Sequence, residues 1–362
     1  MRAAVYRGVN DVRVESVPVP RIGPNELLVR VAVCGVCPTD IKKIQSGAPA
    51  PPRIFGHETA GTIVKLGVGS SKLGFKAGDR VALHHHVPCL QCHFCRHRAF
   101  AQCPQYRRTG ITAGFEPAGG GFAEYVRVMD FALPGLVKIP AKNSFEEGAL
   151  LEPVNTVLKA IHRLNLLRGD RVLVAGQGPI GLMFTRLLKL RGARVLATDL
   201  LASRLRLARR WGAEWTKLVP SSKLEVPNPK FGERRGAGGR LGFGPGTLDA
   251  AIIAVPSDEA TRQALRAVRG GGQVLLFAHT RHGGTLGIDP AAICMEEKDL
   301  LGSYSADLTL QAEAARLVFS RRLNARHLIT HRFPLEQAPA AIALAARPAD
   351  DSLKIVVEPQ SG

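Results

Sequence analysis

Hydrophobic and polar residues alternate over short distances in the first 150 residues of the chain. Short runs rich in β-branched residues are separated by turn signals such as Gly8-Val9-Asn10 and Ile22-Gly23-Pro24, a pattern typical of strands joined by tight loops. The predicted strands are 3–6, 12–17, 27–33, 62–66, 80–83 and 123–128. Many short strands at close spacing predict a barrel or a sandwich with little helix.

After residue 150 the pattern changes to strands that alternate with helices. Apolar runs predict strands at 171–175, 194–199, 250–255 and 273–277, and helical spacing predicts helices at 153–164, 178–190, 202–211 and 259–268. This alternation indicates βαβ units and a parallel sheet. The tail from about residue 295 predicts helices at 310–320 and 335–345 and a last strand at 353–357.

One segment, 220–246, has little periodicity and is rich in glycine, proline and basic residues. We predict a long exposed loop there. Loops of this length are uncommon within compact domains, so the segment is either functional or a tolerated insertion.

The chain of 362 residues is strongly basic, since 49 Lys and Arg residues oppose 30 Asp and Glu, a net charge of +19. The charge fits either a basic surface without a dedicated ligand or a polyanionic partner. An apolar content of 45% excludes a disordered chain. Neither a signal peptide nor a transmembrane helix is visible, so we expect a cytoplasmic protein with reduced thiols and no membrane partner.

Four of the seven cysteines lie in one short segment: Cys89, Cys92, Cys95 and Cys103. Four thiolates at this spacing can form one tetrahedral shell around a soft divalent ion, and zinc is the expected metal when every ligand is sulfur. A closed shell of this kind is structural because no position stays open for substrate. An iron–sulfur cluster and a set of incidental buried thiols are the alternatives.

A glycine-rich turn follows the predicted strand 171–175. Gly176, Gly178 and Gly181 form a G-x-G-x-x-G run, with Pro179 and Ile180 inside it, at the start of a predicted helix. Such a turn lets the backbone approach a pyrophosphate at the helix N-terminus.

The next strand ends at Asp199. A carboxylate at this position accepts hydrogen bonds from a ribose diol and repels a 2′-phosphate, which predicts NAD rather than NADP. Arg204 is the nearest residue that would weaken this preference.

A third group of candidates is dispersed along the chain: Cys37, the pair His57-Glu58, and Glu152. A soft thiolate, an imidazole and one or two carboxylates would make an open zinc site with room for water or substrate. Spacing alone does not join these segments, and a lone Cys, His or Glu is more often structural.

Together these features resemble the zinc-dependent medium-chain dehydrogenase/reductase family, most closely its polyol branch of sorbitol- or iditol 2-dehydrogenase-like proteins. The resemblance covers nearly the whole chain. Besides the four cysteines and the glycine run, it is carried by Met1-Arg2-Ala3-Ala4-Val5, Asn10-Asp11-Val12-Arg13, residues 34–40, Phe55-Gly56-His57-Glu58-Thr59-Ala60-Gly61, Gly78-Asp79-Arg80-Val81, residues 120–126, Leu151-Glu152-Pro153 and residues 327–335.

The resemblance implies an α/β protein of two domains. Residues 1–152 and 291–362 would form a GroES-like β-barrel catalytic domain, and residues 153–290 an NAD-binding Rossmann domain with a doubly wound parallel sheet. The substrate would bind in the cleft between them. Family members are dimers or tetramers, so a homodimer or homotetramer is expected.

The resemblance also implies the site residues and two zinc ions per chain, one catalytic and one structural. Cys37, His57 and Glu58 would bind the catalytic zinc, and Glu152 would be a fourth ligand or hold the zinc-bound water. The resemblance leaves open which of the two carboxylates, Glu58 or Glu152, is the resting zinc ligand.

Two threonines take their roles from the same resemblance. Thr39 would relay the substrate proton, and Thr156 would pack against the nicotinamide. Lys42 stands where some alcohol dehydrogenases have a proton-relay histidine, which leaves the relay beyond Thr39 open.

The function implied is transfer of a hydride from a secondary alcohol, a polyol or sugar alcohol, to NAD, giving a ketone. A threonine dehydrogenase-like or a general alcohol dehydrogenase of the same family is the alternative. A nucleic-acid-associated zinc protein is the alternative from another class, suggested by the charge, the four cysteines and the segment 220–246. Against this alternative, the sequence shows neither a recognition-helix motif nor an RNA-binding aromatic signature.

Three further residue sets carry weaker predictions. The run His84-His85-His86 is interpreted as satisfied or exposed histidines, with a place in the substrate cleft as the alternative. Cys294 is expected to be a buried thiol. Cys34 is left out of the metal site.

Overall fold

The computed structural model describes residues 1–47, 50–70, 74–84, 86–109, 119–219, 244–278 and 283–360. The chain forms two compact units: Met1–Thr156 together with Ser305–Gly362, and Val157–Tyr304. The predicted boundaries, after residues 152 and 290, differ from these. A helix runs through residues 152–156, and a strand at Asp299–Gly302 pairs with the sheet of the second unit.

The strands and helices of the described residues follow in chain order. The strands are β1 (Arg2–Gly8), β2 (Asp11–Ser16), β3 (Leu27–Gly35), β4 (Arg53–Ile54), β5 (Glu58–Leu66), β6 (Arg80–Leu83), β7 (Tyr125–Val128), β8 (Val137–Lys138), β9 (Arg171–Ala175), β10 (Arg194–Asp199), β11 (Trp215–Leu218), β12 (Leu248–Ile253), β13 (Val268–Leu276), β14 (Asp299–Gly302), β15 (Ile329–Pro334) and β16 (Lys354–Glu358). The helices are α1 (Pro38–Ser46), α2 (His93–Arg96), α3 (Pro104–Thr109), α4 (Phe145–Ala149), α5 (Leu151–Ile161), α6 (Pro179–Leu190), α7 (Ala202–Trp211), α8 (Asp258–Ala267), α9 (Pro290–Met295), α10 (Gln311–Phe319) and α11 (Ala338–Ala346).

The first unit is built on a sheet in the order β15-β16-β3-β5-β6-β8, with β7 also paired to β3, and a smaller sheet β2-β1-β4. The central strand β3 runs antiparallel to both β5 and β16. At the end of β3, Gly35 is opposite Glu58 of β5 on one side and Val356 of β16 on the other. The register therefore brings the first residues of β5 and β16 to the point where the chain leaves β3 for α1.

The second unit has a parallel sheet in the order β11-β10-β9-β12-β13-β14. Val172 to Ala175 of β9 form a fully buried run, as expected for a central parallel strand covered on both faces. Helix α6 begins directly after the glycine turn with Pro179 in its first turn, where a missing N–H costs nothing.

Each unit has its own apolar core. In the first unit it contains the buried aromatic residues Tyr6, Phe55 and Phe122. In the second unit Leu173, Ile253 and Val274 pack with α8 residues such as Ala264. Within the described ranges, no helix combines the length and apolar content that crossing a membrane requires.

Most predicted elements are present with ends shifted by a few residues, and the main omissions have physical reasons. Strands β11 and β14 lie at the two edges of the parallel sheet and are largely exposed, so neither has the apolar run that predicts a buried strand. Helix α1 follows Cys37, where only strands and loops were predicted. Residues 220–243 of the predicted loop 220–246 lie outside the described residues.

Candidate active site

Three dispersed residues meet in the first unit. One ligand atom each of Cys37, His57 and Glu58 lies within 4.8 Å of the other two. Cys37 precedes the first turn of α1 as its N-cap residue, whereas His57 and Glu58 enter β5 beside the end of β3. Antiparallel pairing of β3 with β5 is therefore what joins two segments that are separate in sequence.

Two glycines make this approach possible. A Cβ on Gly35 would overlap the carboxylate of Glu58 and lie 3.0 Å from Cε of Lys354. Gly56 has a φ of 99°, and a Cβ there would lie 2.7 Å from the Cys34 sulfur and 2.9 Å from the Phe122 backbone nitrogen. Both positions need the absence of a side chain, and Gly56 also needs the left-handed backbone that glycine adopts readily.

His57 is oriented by Asp40. Its Nδ1 lies 3.1 Å from Oδ1 of Asp40, and both side chains are almost completely buried. Burial lowers the pKa of His57, but the nearby Asp40 carboxylate and the Cys37 thiol outweigh this effect and raise it well above its ordinary value. With Nδ1 donating to Asp40, Nε2 is the nitrogen that can bind a metal, as in other carboxylate–histidine–metal arrangements.

Glu58 is balanced by a cation from the other end of the sequence. The ammonium of Lys354, the first residue of β16, forms an ion pair with Glu58 and donates to the Val36 carbonyl at 3.0 Å. Burial lowers the pKa of Lys354, but the charge of Glu58 and of the other acidic groups around it raises it overall. The two side chains are at most 6% exposed, so the pair is shielded from water.

Glu152 lies near this group but is not part of it. It stands in the first turn of α5 and is buried. Burial, reinforced by the charge of Glu58, raises its pKa to about 7, against the opposing charges of His57 and Lys354. Its Oε1 lies 3.8 Å from Nδ1 of His86. Of the two candidate carboxylates, Glu58 is therefore the one grouped with Cys37 and His57.

The chemistry of this donor set fits zinc. A thiolate, an imidazole and a carboxylate are all zinc ligands, and three protein ligands with one open position are typical of catalytic rather than structural zinc sites. His57 is held in a fixed orientation by Asp40, whereas Glu58 is already paired with the ammonium of Lys354. The structure thus supports the predicted ligand set Cys37, His57 and Glu58 by proximity, with Glu152 outside the group.

The predicted relay and nicotinamide residues have different surroundings. Thr39 lies half-buried in the first turn of α1, and Lys42 lies one helical turn further on, also half-buried. Burial lowers the pKa of Lys42, against the charge of Cys37. Thr156 is the last residue of the first unit's N-terminal part, and its hydroxyl donates to the carbonyls of Glu152 and Pro153 at 3.1 and 2.9 Å.

The four clustered cysteines form a second group that could hold a metal ion. Ligand atoms of Cys89, Cys92, Cys95 and Cys103 all lie within 4.8 Å of one another. The sulfur of Cys95 is 3.9 Å from that of Cys89 and 3.5 Å from that of Cys92. Tetrahedral zinc with bonds of about 2.3 Å requires sulfur atoms about 3.8 Å apart, so the spacing fits zinc closely.

The backbone around these cysteines supports thiolates. Cys89 accepts from the backbone N–H of Cys92 at 3.4 Å. The N–H groups of Gln91 and Cys92 lower the pKa of Cys89 to about 6. Burial and the neighbouring thiols raise the pKa of Cys95 to about 12. A metal ion would therefore displace a proton from Cys95 on binding.

The glycine turn in the second unit has the geometry expected for a dinucleotide. Gly176 has a φ of 91°, and a Cβ on Gly181 would overlap the Gly176 carbonyl oxygen. At Gly178, the N-cap of α6, a Cβ would have no described protein atom within 4 Å. The first and third glycines are therefore required by packing, whereas the second leaves open the space that a pyrophosphate would occupy.

Asp199 is fixed at the end of β10 beside this turn. One carboxylate oxygen accepts from the Gln177 backbone at 2.6 Å and the other from the Leu201 backbone at 2.9 Å. Each oxygen keeps a second lone pair for a ribose hydroxyl. Arg204 lies half-buried in the first turn of α7, and its Nε is buried with no hydrogen-bond partner among the described residues.

Sequence reasoning missed two residues of the first unit and was wrong about one residue of the second. Asp40 lies three residues after Cys37 in the segment 34–40, and this spacing on a helix could have indicated that the two side chains are close. Lys354 is remote from Glu58 in sequence and had no local signal. Cys294, predicted to be buried, is exposed on α9, because this short helix has no buried residues.

Comparison with known proteins agrees with this geometry. The family description "Alcohol dehydrogenase GroES-like domain" matches residues 23–141, and "Zinc-binding dehydrogenase" matches residues 179–320. A sorbitol dehydrogenase of Gallus gallus is 32% identical, covering 98% of this chain and 96% of its own. A sorbitol dehydrogenase of Bacillus subtilis (strain 168) is 29% identical, covering 99% and 97%.

Solved structures give the same result. A 2R,3R-butanediol dehydrogenase from Bacillus subtilis superposes with a TM-score of 0.82 at 26% identity, covering 99% of both chains. A protein described as a zinc-binding dehydrogenase, from Sinorhizobium meliloti 1021 and bound to NADP, superposes with a TM-score of 0.85 at 29% identity, again covering 99% of both chains.

Proposed function

This chain belongs to the zinc-dependent medium-chain dehydrogenase/reductase family, in its polyol branch, and we propose that it oxidises a secondary alcohol of a polyol or sugar alcohol. The carbinol carbon gives a hydride to NAD⁺ and the hydroxyl gives a proton to the solvent, so the products are a ketone, NADH and H⁺. The observation that carries the proposal is the grouping of Cys37, His57 and Glu58. The sorbitol dehydrogenases among the relatives support polyols as the substrate class.

The catalytic metal would be held by Cys37, His57 and Glu58. Zinc bound there supplies a Lewis acid that lowers the pKa of a substrate hydroxyl. His57 Nδ1 lies within hydrogen-bond distance of Asp40, which would keep a proton on Nδ1 and leave Nε2 for the metal. Lys354 balances the charge of Glu58. This pairing lowers the net charge of the site, so that the carboxylate can stay buried away from water.

The proton of the substrate hydroxyl leaves through Thr39 in this proposal. Its hydroxyl can accept that proton while donating its own, as a relay requires. Glu152, buried with a pKa raised to about 7, would hold the water that occupies the open position before substrate binds. Thr156 would contribute its methyl group to nicotinamide packing, since its hydroxyl already bonds to the helix backbone.

The cofactor would be NAD, bound at Gly176, Gly178, Pro179, Ile180 and Gly181. Asp199 would accept the ribose hydroxyls, with Arg204 at the adjacent edge of the site. We expect Asp199→Ala to raise KM for NAD at least tenfold and to reduce the preference for NAD over NADP. An unchanged NAD/NADP ratio of kcat/KM would contradict the role of Asp199.

A homodimer or homotetramer and a cytoplasmic location are part of the same proposal. In the described residues β14 pairs only with β13, and Met295, Leu300 and Tyr304 near this edge are exposed. An open strand edge next to apolar side chains supports self-association. None of the seven cysteines is in a disulfide, which supports a reducing compartment. Light scattering at several protein concentrations tests the assembly.

The decisive experiment follows NAD reduction over a panel of sugar alcohols, 2,3-diols, threonine and simple secondary alcohols, with zinc analysis of the same samples. We expect turnover on polyols, loss of turnover with chelator, and restoration by zinc. Cys37→Ser should lose turnover and one of two zinc ions per chain. Full activity of Cys37→Ser would exclude the assigned metal site, and turnover on threonine alone would exclude the polyol assignment.

A further inference from the structure

Two histidines of the run before the cysteine cluster have no part in the function proposed above. His84 and His86 follow β6 and are 1% and 2% exposed. The ring of His86 lies 5.6 Å from that of His57, 5.5 Å from that of His84 and 5.1 Å from that of Tyr106. His86 is therefore fixed within the wall of the metal centre.

His86 faces Glu152, which has no ion pair with a lysine or arginine among the described residues. Glu152 is buried, and its Oε1 lies 3.8 Å from Nδ1 of His86. By contrast, Glu58 is paired with Lys354. The separation between His86 and Glu152 is longer than a hydrogen bond, and a small shift of either side chain would bring the two atoms within hydrogen-bond distance.

The ring of His86 packs against that of Tyr106. Tyr106 lies in α3, which begins directly after Cys103 of the cysteine cluster, and its hydroxyl is hydrogen-bonded to the hydroxyl of Ser305. A ligand of the second metal site and the aromatic ring that supports His86 are therefore close neighbours in the chain. Among the described residues, His86 belongs to neither group of potential metal ligands, the four cysteines or Cys37, His57 and Glu58. We therefore interpret its contacts as holding neighbouring side chains in place, and not as metal coordination.

We propose that His86 is a positioning residue that orients the Glu152 carboxylate towards the metal centre, and that Tyr106, anchored next to Cys103, holds His86 in place. This inference rests on the role of Glu152 in the proposed function. It assigns to the cysteine cluster a second effect besides stability, because the cluster fixes the ring on which His86 packs.

The test uses His86→Leu and His86→Asn, each alone and combined with Glu152→Gln, in the full-length zinc-loaded protein. We expect His86→Leu to speed zinc release to a chelator and to lower kcat, each by about 10- to 100-fold, the range for outer partners that orient the groups around a metal. KM for NAD should change less than threefold. His86→Asn should restore most of both losses, because an amide can still donate to Glu152.

The double variants separate positioning from general packing. In the Glu152→Gln background, His86→Leu should change zinc release and kcat by less than threefold. Equal losses in both backgrounds, or no loss in the wild-type background, would overturn the proposal. If His86→Leu does not fold, Tyr106→Phe replaces it in the same cycle and should give a smaller loss that again depends on Glu152.

A spectroscopic measurement keeps this test independent of the enzymatic assignment. Cobalt(II) in place of zinc gives absorption bands that report the ligands around the metal. His86→Leu should shift these bands in the same direction as Glu152→Gln, and the double variant should show no further shift. Unshifted bands in His86→Leu would refute the positioning role even in a protein that turns over no polyol.

Discussion

Replacing Lys354 by methionine tests the charge balance on which the metal centre depends. Methionine keeps an unbranched side chain of similar length, so the substitution removes the charge without leaving a large cavity. Both members of the Lys354–Glu58 pair are at most 6% exposed. Removing one partner of a buried pair costs about 3–5 kcal/mol because the other charge stays buried alone. The Val36 carbonyl also loses its bond from Lys354, which adds about 1 kcal/mol.

The assay is thermal unfolding of the wild type, Lys354→Met, Glu58→Gln and the double variant, each with saturating zinc and with chelator. A loss of 1 kcal/mol lowers Tm by about 2–4 °C in a unit of this size. We therefore expect Lys354→Met with chelator to unfold about 8–24 °C below the wild type. With saturating zinc the loss should be smaller, because a metal cation beside Glu58 replaces the missing ammonium.

The double-mutant cycle identifies the cause. In the Glu58→Gln background Lys354 is itself a buried charge without its partner. Lys354→Met removes that charge there, so it should cost much less than it does beside Glu58, or stabilise the protein. If Lys354→Met costs the same in both backgrounds, packing and not charge explains the effect. If it costs less than about 1 kcal/mol with chelator, the buried ion pair does not stabilise the first unit and the reasoning is refuted.

Three further predictions concern neighbouring features. Cys103→Ser should reduce the zinc content by one ion per chain and lower Tm, and retention of both ions would contradict the four-sulfur site. Gly35→Ala should displace Glu58 and weaken zinc binding at the proposed catalytic centre. The control is Gly302→Ala, where a Cβ meets no described atom within 4 Å, and it should leave zinc binding unchanged. Equal effects of the two substitutions would argue against the Gly35 contact. Burial raises the pKa of Glu152 to about 7 in the folded protein. The folded carboxyl therefore keeps a proton that the unfolded one loses near pH 4.5. The free energy of unfolding should consequently fall by about 3 kcal/mol between about pH 4.5 and 7. Glu152→Gln should remove this fall in urea titrations of zinc-depleted protein, and an unchanged pH dependence would refute the assignment.

The features that sequence alone could predict are those whose parts are contiguous. The glycine turn is set by three glycines within the short run 176–181, and the four cysteines lie together within 89–103. In both cases the local chain dictates the geometry. The parallel strands β9 and β10 were predictable for a similar reason, since a buried strand must be apolar on both faces.

The features that could not be predicted depend on strand register. Cys37, His57 and Glu58 were joined by resemblance to a family and not by their spacing. Lys354, the partner of Glu58, is brought beside it only by the pairing of β3 with both β5 and β16.

The exposed thiol of Cys294 on α9 is a case in which the sequence led to a wrong prediction. Cysteine is usually buried, and that tendency alone led to the prediction for Cys294. The short helix that carries it has no buried residues, so nothing in the described part of the chain covers the side chain.

The arrangement of β16 beside β3 has a consequence for biosynthesis. The ribosome releases Cys37, His57 and Glu58 early, but Lys354 emerges only after the whole of the second unit, which is continuous in sequence and interrupts the first. Domains generally fold as units as they emerge, so the inserted unit can fold while the first still lacks its C-terminal strands. The cysteine cluster can load zinc early, because its ligands are contiguous. The proposed catalytic centre, by contrast, is complete only after β16, the strand that carries Lys354, has paired with β3.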